Sequence, residues 1–394
     1  ALSSAASDVY KRQMLLQITA IGKEHFFMLE VCFVLYDASV LAGDNKASIT
    51  VANNMSKYYH VSIVSLCGDH LNNSYKLNSG IKINFAKLPV LRLRQQIPYA
   101  VKFLKSYFIK KHIDVAVLEG YTPAGPSAFV RLFCRTKLVF CDHSSCMGKY
   151  NDNSARMIRK IATLLCHRTI ALTEVSRNDY MKYFHLSEKK CRCIYNWIDA
   201  EEFEKGKNCS YDSDSHTIVS LGRFGPEKGY DLMVKVAEKF FSERNDDWTW
   251  EVYGDGETFD EIYAEVDRLG LNDKLKLMGR TDDVESVYRK AALLVLPSYR
   301  EGMPLVLLEG KCYKLPLVSF DINSGPKEII TDEKNGYLVP PYDVDIMAKR
   351  IAELADSQEL RTSMSEQAHC DIDRFSQQTI LQQWLDLIEE LVRK

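Results

Sequence analysis

Short apolar runs alternate with amphipathic stretches along nearly the whole chain, and this rhythm limits the fold more than any single residue does. Val31–Leu35, Val61–Leu66, Val115–Leu118, Lys137–Cys141 and Thr169–Leu172 have the length and make-up of strands buried on both faces. Ile81–Phe85 is a weaker member of the series, and Ala100–Lys111 carries a helical period. Strands separated by helices pair in parallel, so the pattern predicts an α/β fold built on βαβ units.

The rhythm breaks once. Residues 199–216 are polar and acidic with a single glycine, and 200–216 reads as a linker. A second series follows: Thr217–Leu221, Trp248–Tyr253, Leu275–Met278, Leu293–Leu296 and Leu317–Phe320, with helical segments such as Tyr230–Phe241 between them. The expected organisation is two Rossmann-like, doubly wound parallel-sheet lobes, 28–199 and 217–374, facing a central cleft. Residues 375–394 form an amphipathic helix through Ile380, Trp384, Leu387, Ile388 and Leu391, expected to pack back on the first lobe. Residues 1–27 are Ser/Ala-rich at their start and are expected to be a disordered leader or an artefact.

Charge separates the lobes. Residues 28–199 hold 24 Lys/Arg and 12 Asp/Glu, whereas 200–394 hold 24 and 39, beneath a formal net charge of -2. The near-neutral total and the lack of a binding motif argue against nucleic acid. No run of 18 apolar residues offers a membrane span. The 11 cysteines contain no Cys-x-x-Cys, which reads as reduced thiols and a cytoplasmic protein.

Ligands of open parallel sheets bind beyond the carboxyl ends of the strands, so residues just after each run carry the functional argument. After Leu293–Leu296 comes Pro297-Ser298-Tyr299-Arg300-Glu301-Gly302-Met303-Pro304-Leu305-Val306-Leu307-Leu308-Glu309. Pro304 suits the first position of a helix. Gly302 lets a ligand approach the backbone, and the free N–H groups around Met303–Val306 can hold phosphate. Glu301 and Glu309 can then hold two groups of hydroxyls on one extended ligand. After Thr217–Leu221 comes Gly222-Arg223-Phe224-Gly225-Pro226-Glu227-Lys228-Gly229, whose Arg fork and Lys point charge suit an anion. Taken singly, each segment would also fit a solvated loop. Three Asp-x-Asp triplets begin at Asp212, Asp343 and Asp371, but none follows a candidate nucleotide-binding strand. They read as solvated or capping acids, and no metal is expected.

Together these segments resemble the retaining glycosyltransferases of the GT-B fold, specifically family 4. Glu301 to Glu309 is similar to that family's paired-glutamate motif. Gly222-Arg223 with Lys228-Gly229 resembles its diphosphate-binding turn, and Val252-Tyr253-Gly254-Asp255-Gly256 its second glycine loop. Residues 321–328 and 335–339 resemble its closing segment. The resemblance implies transfer of a hexose from a nucleotide-diphosphate sugar, most often a UDP-sugar, to a hydroxyl of a growing glycan, with retained configuration and no cofactor. Arg223 and Lys228 would hold the diphosphate and Glu309 the ribose. Glu301, with backbone N–H groups near Gly302–Leu305, would hold the sugar, and Arg280 lies where the family places the nucleotide base. His143, after Lys137–Cys141, matches a histidine that reaches the donor sugar, and Gly43 stands alone where the family has a Gly-Gly loop. Thr173, after Thr169–Leu172, reads as a helix cap.

Lys87–Lys111 holds seven cations and no acid, interleaved with apolar residues. It reads either as a patch for an anionic membrane surface and a polyprenyl-linked acceptor, or as an ordinary helix with a basic face. The membrane reading would make the protein peripheral. Two other classes stay open at this stage: a sugar-nucleotide epimerase of the same fold, and a protein that only binds nucleotide sugar.

Overall fold

A computed structural model describes residues 29–147, 153–242 and 244–393. The expectation for residues 1–27 lies outside them. The first sheet contains β1 (Glu30–Asp37), β2 (His60–Cys67), β3 (Lys82–Phe85), β4 (Val115–Glu119), β5 (Lys137–Asp142), β6 (Arg168–Ala171) and β7 (Cys191–Cys193). The second contains β8 (Thr217–Leu221), β9 (Thr249–Tyr253), β10 (Leu275–Gly279), β11 (Leu293–Leu296), β12 (Leu317–Phe320) and β13 (Gly336–Val339). Strand orders are 3-2-1-4-5-6-7 and 10-9-8-11-12-13. Every pairing is parallel. The order reverses between β1 and β4 and between β8 and β11. Each reversal leaves a crevice at the carboxyl end of its sheet.

The apolar runs become strands because their residues are covered on both faces. Val31 through Val34 and Val115 through Leu118 are fully buried, as are Leu293 through Val295. The sequence pattern alone did not mark β7 or β13 as strands. The helix predicted from Ala100 begins at Leu93, ahead of Pro98. Pro98 lies in the second turn, so the helix forgoes the bond that an N–H there would make to the Arg94 carbonyl.

The stretch 200–216, expected as a linker, is partly helical: Ala200–Lys207 is a helix. Asp199 caps it by accepting from the Glu201 N–H at 3.0 Å. Glu201 and Glu202 occupy its first turn and Lys205 and Lys207 its last, the arrangement that suits a helix dipole. It packs tightly on the helix Leu305–Cys312: a Cβ on Gly206 would lie 2.4 Å from the Cys312 Sγ.

The helix Gln377–Val392 leaves the second lobe and returns to the first. Ile380, Trp384, Leu387, Ile388 and Leu391 join the cluster that holds Ile49, Ala52 and Met55 of the helix Gly43–Met55. Glu390 pairs with Arg168 at the start of β6 and with Arg192 of β7. The two crossings between lobes run side by side, bridged at Ile198 and Ser376.

Candidate active site

The switch points of the two sheets face each other, and a cavity of about 550 Å3 lies between them. Gly43, Glu119 and His143 line it from the first lobe, and Gly222, Arg223 and Lys228 from the second. Glu301, Gly302, Met303, Pro304 and Leu305 complete the second-lobe wall. A further cavity of about 640 Å3 lies beside it and reaches Glu309. Glu119, His143, Asn196 and Leu305 belong to both walls, so the two form one crevice.

Lys228 ends a short 3-10 turn, Pro226–Lys228, and Gly229 follows at φ +68. That left-handed conformation suits glycine. A Cβ there would also stand 2.1 Å from the Pro297 carbonyl oxygen, so this glycine lets the turn after β8 lie against the loop after β11. Lys228 Nζ thereby reaches Glu301 Oε1 at 2.8 Å, and Ser298 Oγ donates to the same oxygen at 2.7 Å. Glu301 is buried, and these two donors satisfy its desolvated carboxylate. Arg223 is half exposed and pairs with Glu227 at 2.9 Å. Pro304 is the residue just before the helix Leu305–Cys312 rather than its first residue, a difference of one position. Leu305 and Val306, the first two residues of that helix, line the cavity, at the end of a helix that suits an anion.

Glu309 is not vacant. Lys46, from the first lobe, donates to its Oε1 at 3.0 Å, and the Tyr288 hydroxyl donates to its Oε2 at 2.8 Å. Burial opposes ionisation of Glu309, but the Lys46 charge and the Tyr288 hydrogen bond outweigh it and hold the carboxyl below its ordinary range. The Glu309 charge in turn raises Lys46. Sequence reasoning missed Lys46 and Tyr288, since neither follows a strand.

His143 lies just past β5. Its Nε2 is 2.5 Å from Glu119 Oε2 and 3.4 Å from Ser48 Oγ. The lobes touch here: a Cβ on Gly302 would stand 2.0 Å from the His143 carbonyl oxygen, so only glycine allows this approach. Ser324 adds to the contact, bonding Thr173 Oγ1 at 2.8 Å and Ser176 Oγ at 2.9 Å across the lobes. Thr173 also caps its helix, accepting from the Ser176 N–H at 3.0 Å. Glu119 was not singled out from the sequence. A carboxylate closing the apolar run Val115–Leu118 was the available signal.

Two expected residues stand elsewhere. Arg280 lines neither cavity. It follows β10, the edge strand, is nearly half exposed, and lies 3.8 Å from Asp255. Gly254 lines neither cavity as well. A Cβ there would fall 1.8 Å from the Gly222 carbonyl oxygen, so Gly254 lets the turn after β9 pack behind the turn after β8.

Among the described residues, Glu119, Cys141 and His143 bring possible metal-ligand atoms within 4.8 Å of one another. Two ligands of one tetrahedral zinc ion stand roughly 3.3 Å apart. Glu119 and His143 are closer than that and are spent on each other. Most of the Asp-x-Asp acids have partners of their own. Asp343 caps a helix, Asp345 pairs with Lys239, and Asp371 pairs with Lys311. Asp212 accepts from the Asp214 N–H.

Residues 49–202 match the family described as Glycosyltransferase Family 4, and residues 202–370 match Glycosyl transferases group 1. A glycosyltransferase of Haemophilus influenzae is 24% identical over 373 residues, covering 92% of this chain and 100% of that protein. A Campylobacter jejuni enzyme, GalNAc-alpha-(1->4)-GalNAc-alpha-(1->3)-diNAcBac-PP-undecaprenol alpha-1,4-N-acetyl-D-galactosaminyltransferase, is 24% identical over 371 residues, covering 92% and 99%. The crystal structure of Staphylococcus aureus TarM with UDP, Fondaparinux and alpha-GlcNAc-glycerol superposes with a TM-score of 0.77, covering 92% of this chain and 100% of that one at 17% identity, and so shares the fold. Two facing parallel sheets of GT-B form and family matches running from residue 49 to residue 370 lead to one assignment: the chain is a glycosyltransferase of family 4, the glycosyl transferases group 1.

Proposed function

We propose that the protein transfers a hexose from a UDP-sugar to a hydroxyl of a glycan or polyprenyl-linked acceptor in cell-surface polysaccharide synthesis, retaining anomeric configuration and needing no divalent metal. One observation carries this reading. Lys228, Arg223, Glu301 and the start of the helix Leu305–Cys312 meet in the same crevice as His143, with Glu309 in the adjoining cavity. Lys228 and Arg223 supply fixed charge for the departing diphosphate, the task a bound metal performs elsewhere. Glu301 and the backbone at Gly302–Leu305 hold the sugar, and Glu309 holds the ribose once Lys46 moves aside. Among the described residues no side chain stands out as a nucleophile. Catalysis is therefore positioning plus electrostatic stabilisation of the leaving group, with a phosphate oxygen taking the acceptor proton. Closure of the lobes limits donor hydrolysis.

Release of nucleotide across a panel of UDP- and GDP-sugars, with EDTA and with magnesium or manganese, tests the reading. Release is expected with UDP-sugars and is expected to be unchanged in EDTA. Loss in EDTA restored by metal would count against the fixed-charge account. Isomerised donor without a new linkage would identify an epimerase instead.

The acceptor side favours an anionic bilayer surface. Among the described residues no helix is long and apolar enough to cross a membrane. The outer layer of the first lobe, however, exposes Val90, Tyr99 and Ile109 on or beside Leu93–Lys111. It continues through Leu132 and Phe133 to Met157 and Leu164 of the helix Asn153–Leu165. Lys105 Nζ lies 5.5 Å from the Phe133 ring centre and joins the first two segments. Residues 87–113 and 120–141 contain no acid. Apolar side chains among cations match an interfacial, anionic surface. The protein is expected to co-sediment with vesicles containing anionic lipid and not with neutral ones. Equal recovery with both would remove this part of the proposal.

A further inference from the structure

The carboxylate of Glu119 is almost fully buried, with its side chain 2% exposed, and lies 2.5 Å from the His143 imidazole. The groups around that ring come from three elements. Ser48 Oγ of the helix Gly43–Met55 lies 3.4 Å from the same nitrogen. Cys141 precedes it on β5 and also touches it electrostatically. Asp142, next in sequence, is spent on Arg159 at 2.7 Å and Tyr180 at 2.5 Å. Among these neighbours Glu119 is therefore the carboxylate committed to His143.

We propose that Glu119 is a positioning residue for His143: its carboxylate accepts the Nε2 proton and fixes the ring as a donor-only cation where the two cavities meet. The inference rests on the reading above that His143 faces the donor sugar. A neutral imidazole carries one donor and one acceptor nitrogen, whereas the cation carries two donors. With Nε2–H given to Glu119, the second N–H serves a sugar hydroxyl or phosphate oxygen. The ring then cannot take the acceptor's proton, which leaves that task to the departing phosphate. Burial alone would discharge His143, whereas the hydrogen bond to Glu119 at 2.5 Å and the Glu119 charge act in the opposite direction and favour the cation. Burial and the Glu119 charge push the Cys141 thiol itself up to about 12, so it is neutral and the carboxylate is the anion that matters. The sign follows. A donor role is lost as pH rises through the His143 titration, whereas a base role would be lost as pH falls through it.

Two readouts on Glu119→Gln and Glu119→Asp in the full chain decide the matter. In the first, the imidazole resonances of His143 are followed by NMR against pH. The Gln variant is expected to titrate about 1–3 pH units lower than wild type, with the Asp variant between them. In the second, the alkaline limb of kcat is expected to move with that titration. At neutral pH the Gln variant should lose about tenfold in kcat with donor KM nearly unchanged. An unmoved titration would overturn the proposal, and so would a shift in the acid limb instead of the alkaline one. If wild type shows no transfer with any donor, the proposed reaction fails, while the NMR result still decides whether Glu119 sets the state of His143.

Discussion

Lys228→Ala is expected to raise the transfer barrier by about 2–4 kcal/mol, or roughly 30- to 1,000-fold in kcat. Two effects act together. The substitution removes a point charge from the wall where the diphosphate leaves. It also strips Glu301 of its 2.8 Å partner, leaving this buried carboxylate with only the Ser298 hydroxyl at 2.7 Å among its described donors. An uncompensated carboxylate beside a departing phosphate adds repulsion to the lost attraction. Negative charge on the phosphate grows toward the transition state, so kcat should fall more than donor KM rises. Arg223→Ala belongs to the same class, although Arg223 is half exposed and shared with Glu227. Steady-state release of nucleotide measures both. Near-normal turnover in either variant would contradict the role given to that residue.

Arg159→Ala is expected to destabilise the fold by about 3–5 kcal/mol. The guanidinium is fully buried, and its Nε donates to Asp142 Oδ2 at 2.7 Å and its Nη2 to Ser144 Oγ at 2.6 Å. It also lies over the Tyr121 ring, 4.2 Å from its centre. Removing it leaves the Asp142 charge in the interior with neutral donors alone, the Tyr180 hydroxyl at 2.5 Å and the Ser144 N–H and hydroxyl at 3.2 and 3.1 Å. A buried charge without its partner costs far more than the intact pair contributes. Chemical denaturation gives the size of the effect. Replacing both members with apolar residues, Arg159→Met with Asp142→Leu, should recover part of the loss. If the double variant is as unstable as the sum of the two single changes, the pair does not act as a unit. Asp142 and Ser144 flank His143, so activity should fall with stability.

Local sequence located one wall of the crevice well. The segments after β8 and β11 are continuous, and their strands have apolar runs of unmistakable length, so Arg223, Lys228 and Glu301 could be placed without knowing the rest of the chain. Arg280 shows the limit of that logic. Its position after a strand fixes the correct end of a sheet but not the strand order, and β10 lies at the edge, two strands from the switch point. The helix Ala200–Lys207 was hidden because its composition is polar, although its cap and charge order were present in the sequence. Lys46 and Glu119 could not be read as partners of Glu309 and His143. The first pairing spans 263 positions and exists only because the lobes meet. The second joins adjacent parallel strand ends, a contact that depends on β4 lying beside β5.

The return of Gln377–Val392 to the first lobe also reverses the order in which the molecule can mature during synthesis. A ribosome releases the first lobe early, and lobes made of consecutive residues ordinarily fold in that order. Here the apolar face of Gly43–Met55 waits for Ile380, Trp384 and Leu387, which emerge after every strand of the second sheet. The second sheet can therefore finish while the first is still uncovered, and the nascent chain must keep that greasy surface from neighbouring polypeptides until translation has passed residue 392.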